Sequence, residues 1–240
     1  MEKINVTVAG DTLTVREGNA PEIFQYEGYH YRAHSADAFV NLVSDRGAAP
    51  GCIIAYNDAG FQAIMDDFLQ TRDKDKVTYG LTNSVQYMEW EDILKRGETF
   101  QQKQFLDFLR RREPGEIENM EALVAAIQKF KFVSTVTFES EFEDPENRSF
   151  VFKVGDMEGT VKLPQSITVN IEVYNESGYT IPMEIELEVV RPKSDGEKLR
   201  FSLTCPKLAR YLKQGWENEV SDVHDKLEDK GFLIIAGKLY

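Results

Sequence analysis

Cysteine, histidine and long apolar runs are all scarce in this sequence. Its two cysteines, Cys52 and Cys205, form no CxxC pair. That excludes a zinc ribbon or a thioredoxin-type redox motif. Cys52 lies in the apolar run CIIAY and Cys205 ends LRFSLTC, so both read as small core residues. The start, MEKINVTVAG, has no apolar core of a signal peptide. No apolar run approaches the ~20 residues of a membrane span. These features predict a soluble, cytoplasmic protein without a membrane partner.

Catalytic signatures are missing as well. Three histidines occur: His30, His34 and His224. His30 and His34 are four apart but sit in an aromatic stretch, and no HExxH exists. His224 lies in VSDVHDKLED, where exposure is the default. The chain has no GxSxG elbow, no Walker A loop and no GxGxxG. This removes the commonest nucleotide-dependent enzyme classes. It weighs against an enzyme, and no cofactor or metal is expected.

Acidic charge, by contrast, is plentiful. Asp and Glu number 41 against 28 Lys and Arg, for a formal net charge of −13 over 240 residues. Such a chain repels free nucleic acid and attracts basic surfaces, including the grooves where other proteins hold nucleic acid.

The first half mixes strands and short helices. INVTVAGDTLTVRE reads as a hairpin around Gly10 and Asp11. Residues 18–34 form an aromatic stretch, with Tyr26, Tyr29, Tyr31, His30 and His34, predicted as a loop. Ser35 is a helix N-cap before Ala36, Phe39, Val40 and Val43, and Gly47 ends that helix. CIIAY is a buried strand; residues 61–69 fit helix or strand; VTYGLTNSVQYMEW begins as a strand and turns helical. A helix introduced by Thr99 or Gln101 carries Phe105, Leu106, Phe108 and Leu109. It ends at Arg110, Arg111 and Arg112, which complement its dipole or bind phosphate. Another spans 117–130.

From 132 to 205 strict alternation takes over, in SFVFKV, ITVNIEV, MEIELEV and LRFSLT, with turns between. A helix at 207–229 follows, with Gly215 as a candidate kink, then a buried strand in GFLIIAGKL that returns to a sheet. The expected class is α+β. It comprises a mixed lobe over 1–131 and an antiparallel-sheet lobe with C-terminal helix and strand over 132–240, or one compact domain.

Alternation places Glu139, Glu141 and Glu143 opposite Phe138 and Phe142, and Glu184, Glu186 and Glu188 opposite Ile185, Leu187 and Val189. The plain reading is the wet face of a sheet. If the two strands are neighbours, six glutamates share a face, at a repulsive cost. Such a face fits a basic partner. Lys162, Arg191, Lys193 and Arg200 are placed to neutralise it. A magnesium or manganese site that recruits Glu172 and Lys153 is a weaker alternative, since no spacing demands it.

Five stretches carry a family resemblance: ADAFVNLVSDRG, CIIAYNDAGFQAIMDDF, VTYGLTNSVQYMEWEDIL, ETFQQKQFLDFLRRREPGEI and LPQSITVNIEVYNESGYTIPMEIELEVV. In order and spacing the chain resembles the YfdQ-like family of phage and prophage proteins, a domain of unknown function, from about Ser35 onward. Where that family tends to carry two tryptophans, this chain has Tyr87 and Trp90. The resemblance implies a phage or prophage protein in a bacterial cytoplasm and brings no catalytic residues. Two functions are expected from this context. One is a non-enzymatic, anti-defence type interaction protein that inhibits or modulates a host or phage protein through the acidic face. The other is an oligomeric accessory factor in phage DNA replication or recombination.

Overall fold

The computed structural model describes residues 4–9, 12–17, 27–69, 73–129, 147–154, 157–190 and 199–239. Local signals start its helices. Ser35 caps α1 (Ala36–Arg46) by accepting a hydrogen bond from the Ala38 amide at 3.1 Å. That satisfies an amide the first helical turn leaves without a partner. Ser84 caps α2 (Val85–Arg96) in the same way, taking the Tyr87 amide at 3.0 Å. The Gln101 amide donates to Gln104 Oε1 at the start of α3 (Gln102–Arg110).

The helix expected over 117–130 begins later, as α4 (Met120–Lys129). The preceding residues are drawn to a sheet edge instead. Asn170 N–H donates to Glu116 O at 2.7 Å, and Glu118 N–H to Thr168 O at 3.0 Å. Asn119, at φ 53°, then turns the chain into the helix.

The protein is α+β. A five-stranded mixed sheet has the order β13 (Leu233–Ala236), β4 (Ile53–Asn57), β5 (Gly60–Ile64), β6 (Lys76–Gly80), β3 (His30–Ala33). β4, β5 and β6 form an antiparallel meander, while β13 and β3 join it in parallel at its two edges. Residues 61–69 therefore open as strand, and His30 belongs to an edge strand rather than a loop.

A four-stranded antiparallel sheet has the order β10 (Ser166–Ile171), β11 (Ile181–Val190), β12 (Arg200–Thr204), β7 (Thr99–Gln101). Two hairpins, β1 (Ile4–Ala9) with β2 (Thr12–Glu17) and β8 (Asn147–Val154) with β9 (Met157–Pro164), complete the described strands. β9 is not apparent as a strand in the sequence, where Gly159 and Pro164 mask it, yet Val161 and Leu163 are buried. The strand expected over 132–143 lies outside the described residues.

Both sheets draw on chain from either side of residue 131: β7 pairs with β12, and β13 with β4. Each sheet buries one face. Phe39, Val43, Ile54, Phe61, Val77, Tyr79, Val223 and Leu227 fill the core of the mixed sheet. Trp90, Phe105, Phe108, Leu109, Ile127, Val169, Met183, Ile185 and Phe201 fill the other.

The last helix, α5 (Leu208–Leu227), serves both cores. Leu208, Tyr211 and Leu212 pack on the antiparallel side, Val220, Val223 and Leu227 on the mixed side, and Trp216 on both. Gly215 does not interrupt the helix. A Cβ there would meet Val173 Cβ at 3.1 Å and Tyr174 Cε2 at 3.3 Å, so glycine lets the helix approach closely. The last strand is not buried as expected. Ile234 packs inward, but Leu233 is 53% and Ile235 38% exposed, because β13 is an edge strand covered on one face.

Gly215→Leu should overpack this contact and lower stability by about 1–3 kcal/mol. Urea unfolding monitored by tryptophan fluorescence checks it; an unchanged midpoint would remove the close approach as the reason for glycine.

Candidate functional site

The outer face of the antiparallel sheet carries the glutamates read from the sequence. β11 alternates strictly, with Ile181, Met183, Ile185 and Leu187 buried and Glu184, Glu186 and Glu188 exposed. The strand runs between β10 and β12, but only Glu186 has a partner on both sides; Glu184 pairs with β10 alone and Glu188 with β12 alone. Their cross-strand neighbours are Thr168 and Ser166 on one side, Thr204 and Ser202 on the other. Neighbouring glutamates on one strand face stand about 7 Å apart, and such a pair repels by about 0.6 kcal/mol in water.

One of the three is neutralised. Lys207 Nζ stands 3.0 Å from Glu184 Oε2, and this ion pair holds the Glu184 carboxyl below the usual carboxylate range. Glu186 Oε2 accepts the Thr204 hydroxyl at 3.2 Å. Glu188 forms no ion pair among the described residues. The counter-charge is thus Lys207, which sequence alternation does not single out because it precedes a helix. Arg200 instead donates to Thr99 Oγ1 at 3.2 Å. Glu139, Glu141, Glu143, Arg191 and Lys193 lie outside the described residues, so the structure brings together only the β11 half of the expected patch.

The arginine cluster divides. Arg110 and Arg111 are exposed. Arg112 is nearly buried; its guanidinium lies 4.6 Å from the Phe108 ring centre and 2.6 Å from Glu89 Oε2. Next to it Glu116 is buried, with Oε1 accepting Trp90 Nε1 at 2.6 Å and Oε2 accepting the Glu113 amide at 2.8 Å. These contacts compensate the burial of a charge. Arg112 is therefore tied into the core rather than presented to phosphate. Glu172, considered for a metal, lines a cavity of about 460 Å³ with Glu113, Glu116 and Asn170. His224, Asp225 and Glu228 bring ligand atoms within 4.8 Å of one another, all on exposed side chains.

A second group of acids escaped sequence reading. Glu219 on α5 is wholly buried, and neither carboxylate oxygen has a hydrogen-bond partner among the described residues. Burial, reinforced by Asp222, pushes its carboxyl up to about 7. It faces Tyr79 and Tyr179, whose hydroxyls are raised by burial first and by Glu219 next. The Tyr179 hydroxyl is also buried without a partner among the described residues. Lys226, about two turns on, bridges Asp37 of α1 and Asp222 at 2.7 and 2.6 Å. A signal existed: Gly215, Glu219, Val223 and Leu227 recur every four residues on one stripe, and an acid in an apolar stripe marks a buried acid.

Both thiols are unreactive in character. Burial, then Asp66, pushes Cys52 up to about 11, and burial raises Cys205. No helix among the described residues is long and apolar enough to cross a membrane. No protein-family model, curated protein or solved structure matches the chain.

The Glu219 shift sets a pH dependence. A carboxyl raised from its ordinary 4.5 to about 7 in the fold contributes stability that is fully present below 4.5 and lost as pH rises through 7. Glu219→Gln keeps a neutral side chain at every pH. Its stability relative to the parent should therefore rise between about pH 5 and about pH 8, by on the order of 3 kcal/mol. Urea unfolding across that range checks this; a constant difference would mean Glu219 does not titrate in the fold.

Proposed function

We propose that this chain is a non-enzymatic interaction protein that docks on a basic protein surface through the glutamate face of its antiparallel sheet. The carrying observation is the row Glu184, Glu186 and Glu188, all exposed along one face of β11 with one ion pair among them. A hydroxyl-bearing margin of Ser166, Thr168, Ser202 and Thr204 surrounds the row and suits a polar interface rim. Repulsion along the strand is relieved when a cationic surface arrives, so binding and self-repulsion favour the same partner.

The finer reading is a phage-encoded inhibitor or modulator of a host defence or nucleic-acid-handling protein, acting in the bacterial cytoplasm. The formal charge of −13 supports it, since an acidic face competes for a groove built for phosphates. The resemblance to phage proteins noted above supports the setting. A second reading, an oligomeric accessory factor in phage DNA replication or recombination, is favoured by Leu233 and Ile235, exposed on an edge strand.

The test is capture of partners from bacterial cells on the tagged chain, followed by the double variant Glu186→Lys and Glu188→Lys. These two side chains are exposed and outside the core, so the thermal midpoint should hold. Affinity for the captured partner should fall about tenfold or more, and binding by the parent should weaken with added salt. Undiminished binding by the double variant would reject the acidic face as the contact.

A further inference from the structure

The mixed sheet also has an open face, and its chemistry is opposite in charge. Residues directly opposite in a sheet share a face. Arg32, Thr78, Gln62 and Ala55 form one such row across β3, β6, β5 and β4. Gly80, Gly60 and Asn57 form the next. Tyr31, Val77, Tyr79, Phe61 and Ile54 point the other way, into the core under α1 and α5.

A cavity of about 410 Å³ sits on this face, lined by Arg32, Asn57, Gln62, Thr78, Gly80 and Lys238 among others. Gly80 lines it, and Gly60 stands opposite Gly80 on β5. Gly60, at φ +133°, has no room for a Cβ, which would strike the Tyr79 carbonyl oxygen. Gly80 has room, and a Cβ there would meet only the Ala59 carbonyl oxygen, at 4.0 Å. The absent side chain at Gly80 leaves the surface open there.

Position in the fold reinforces this. β3, β4, β6 and β13 all run one way, and the cavity lies where they end. The carboxyl ends of parallel strands are where open α/β sheets take ligands. Gly237 N–H continues the pairing to Tyr56 O at 2.8 Å, which brings Lys238 beside the end of β4. Arg32 arrives from the opposite edge of the sheet.

The lining selects a ligand class. It holds two cations and no carboxylate, on a chain that is acidic overall. Asn57, which lines the cavity, accepts the Ala59 amide on Oδ1 at 2.9 Å, so its NH2 is the group left to donate. Gln62 Oε1 is buried with no partner among the described residues, so it requires a donor. Phe61 and Tyr79 stack on each other at 6.1 Å in the core, so their rings offer no platform to a base.

We propose that this cavity binds a small hydroxylated phosphate ester of the sugar-phosphate kind. Arg32 takes the phosphate, Gln62 Oε1 accepts a ligand hydroxyl, and Lys238 adds positive charge at the other end of the cavity. Guanidinium and ammonium groups are the usual phosphate partners. A cavity of this volume matches a small polar metabolite. The proposal uses the opposite sheet from the glutamate row and stands or falls independently of it.

The test is calorimetric titration of the full chain with glucose 6-phosphate, beside glucose, adenosine monophosphate and malate. Glucose 6-phosphate should bind and raise the thermal midpoint, and glucose should do neither. Arg32→Ala should weaken binding about tenfold, the fold-change of one charge-assisted hydrogen bond. Gly80→Leu should abolish binding by filling the cavity, and Arg32→Ala, at an exposed position, keeps the test valid if Gly80→Leu folds poorly. No binding of glucose 6-phosphate would overturn the proposal, as would equal binding by Arg32→Ala. Tighter binding of malate would overturn the phosphate assignment, and tighter binding of adenosine monophosphate the sugar-phosphate class.

Discussion

The close approach of α5 to the antiparallel core at Gly215 is the constraint on which the arrangement of both sheets rests. At that point helix backbone meets Val173 and Tyr174 with no side chain between. One residue on, Trp216 reaches the mixed sheet, 5.3 Å from Phe61 and 6.1 Å from Tyr56 between ring centres. Four residues after the glycine, Glu219 is sealed between the cores. Aromatic contacts of this kind add to area burial, whereas an unpartnered acid subtracts from it. The helix thus joins the sheets through strong packing that includes one costly group. The chain then turns at Gly231 and adds β13 beside β4, so the same helix is fixed at its far end by the mixed sheet.

Because α5 and the other helices occupy the inner faces, the outer faces are left to chemistry. The two differ in kind. The antiparallel sheet carries its acids on the central strand, with hydroxyls beside three glutamates. Its partner sheet carries a cavity lined by Gly80 and edged by Arg32 and Lys238. An exposed charged face suits a macromolecule, while a lined cavity suits a small ligand. The two proposals thus rest on separate faces of one fold.

Much of this was legible in the sequence where one physical rule acts alone. The cap at Ser35, the alternation of β11 and the return of the last segment to a sheet follow from local hydrogen bonding and period. Legibility failed where tertiary contact decides. Gly215 looks like a helix breaker until the facing side chains are known. Arg112 looks like a basic tail until Phe108 and Glu89 enclose it. Residues 116–118 follow the helical pattern but pair with β10. The last strand is apolar enough to be buried, yet an edge with one covered face leaves Leu233 in the open. The six-glutamate face needed strand order, and only its Glu184, Glu186 and Glu188 half falls within the described residues.

The most direct measurement is carboxylate footprinting of the glutamate row, by carbodiimide labelling and mass spectrometry, on the free chain and on the chain bound to its captured partner. Glu217, exposed on α5, supplies the internal reference. Labelling of Glu186 and Glu188 should fall on binding while that of Glu217 holds. Equal labelling of the row in the free and bound chain would contradict a docking surface on this sheet.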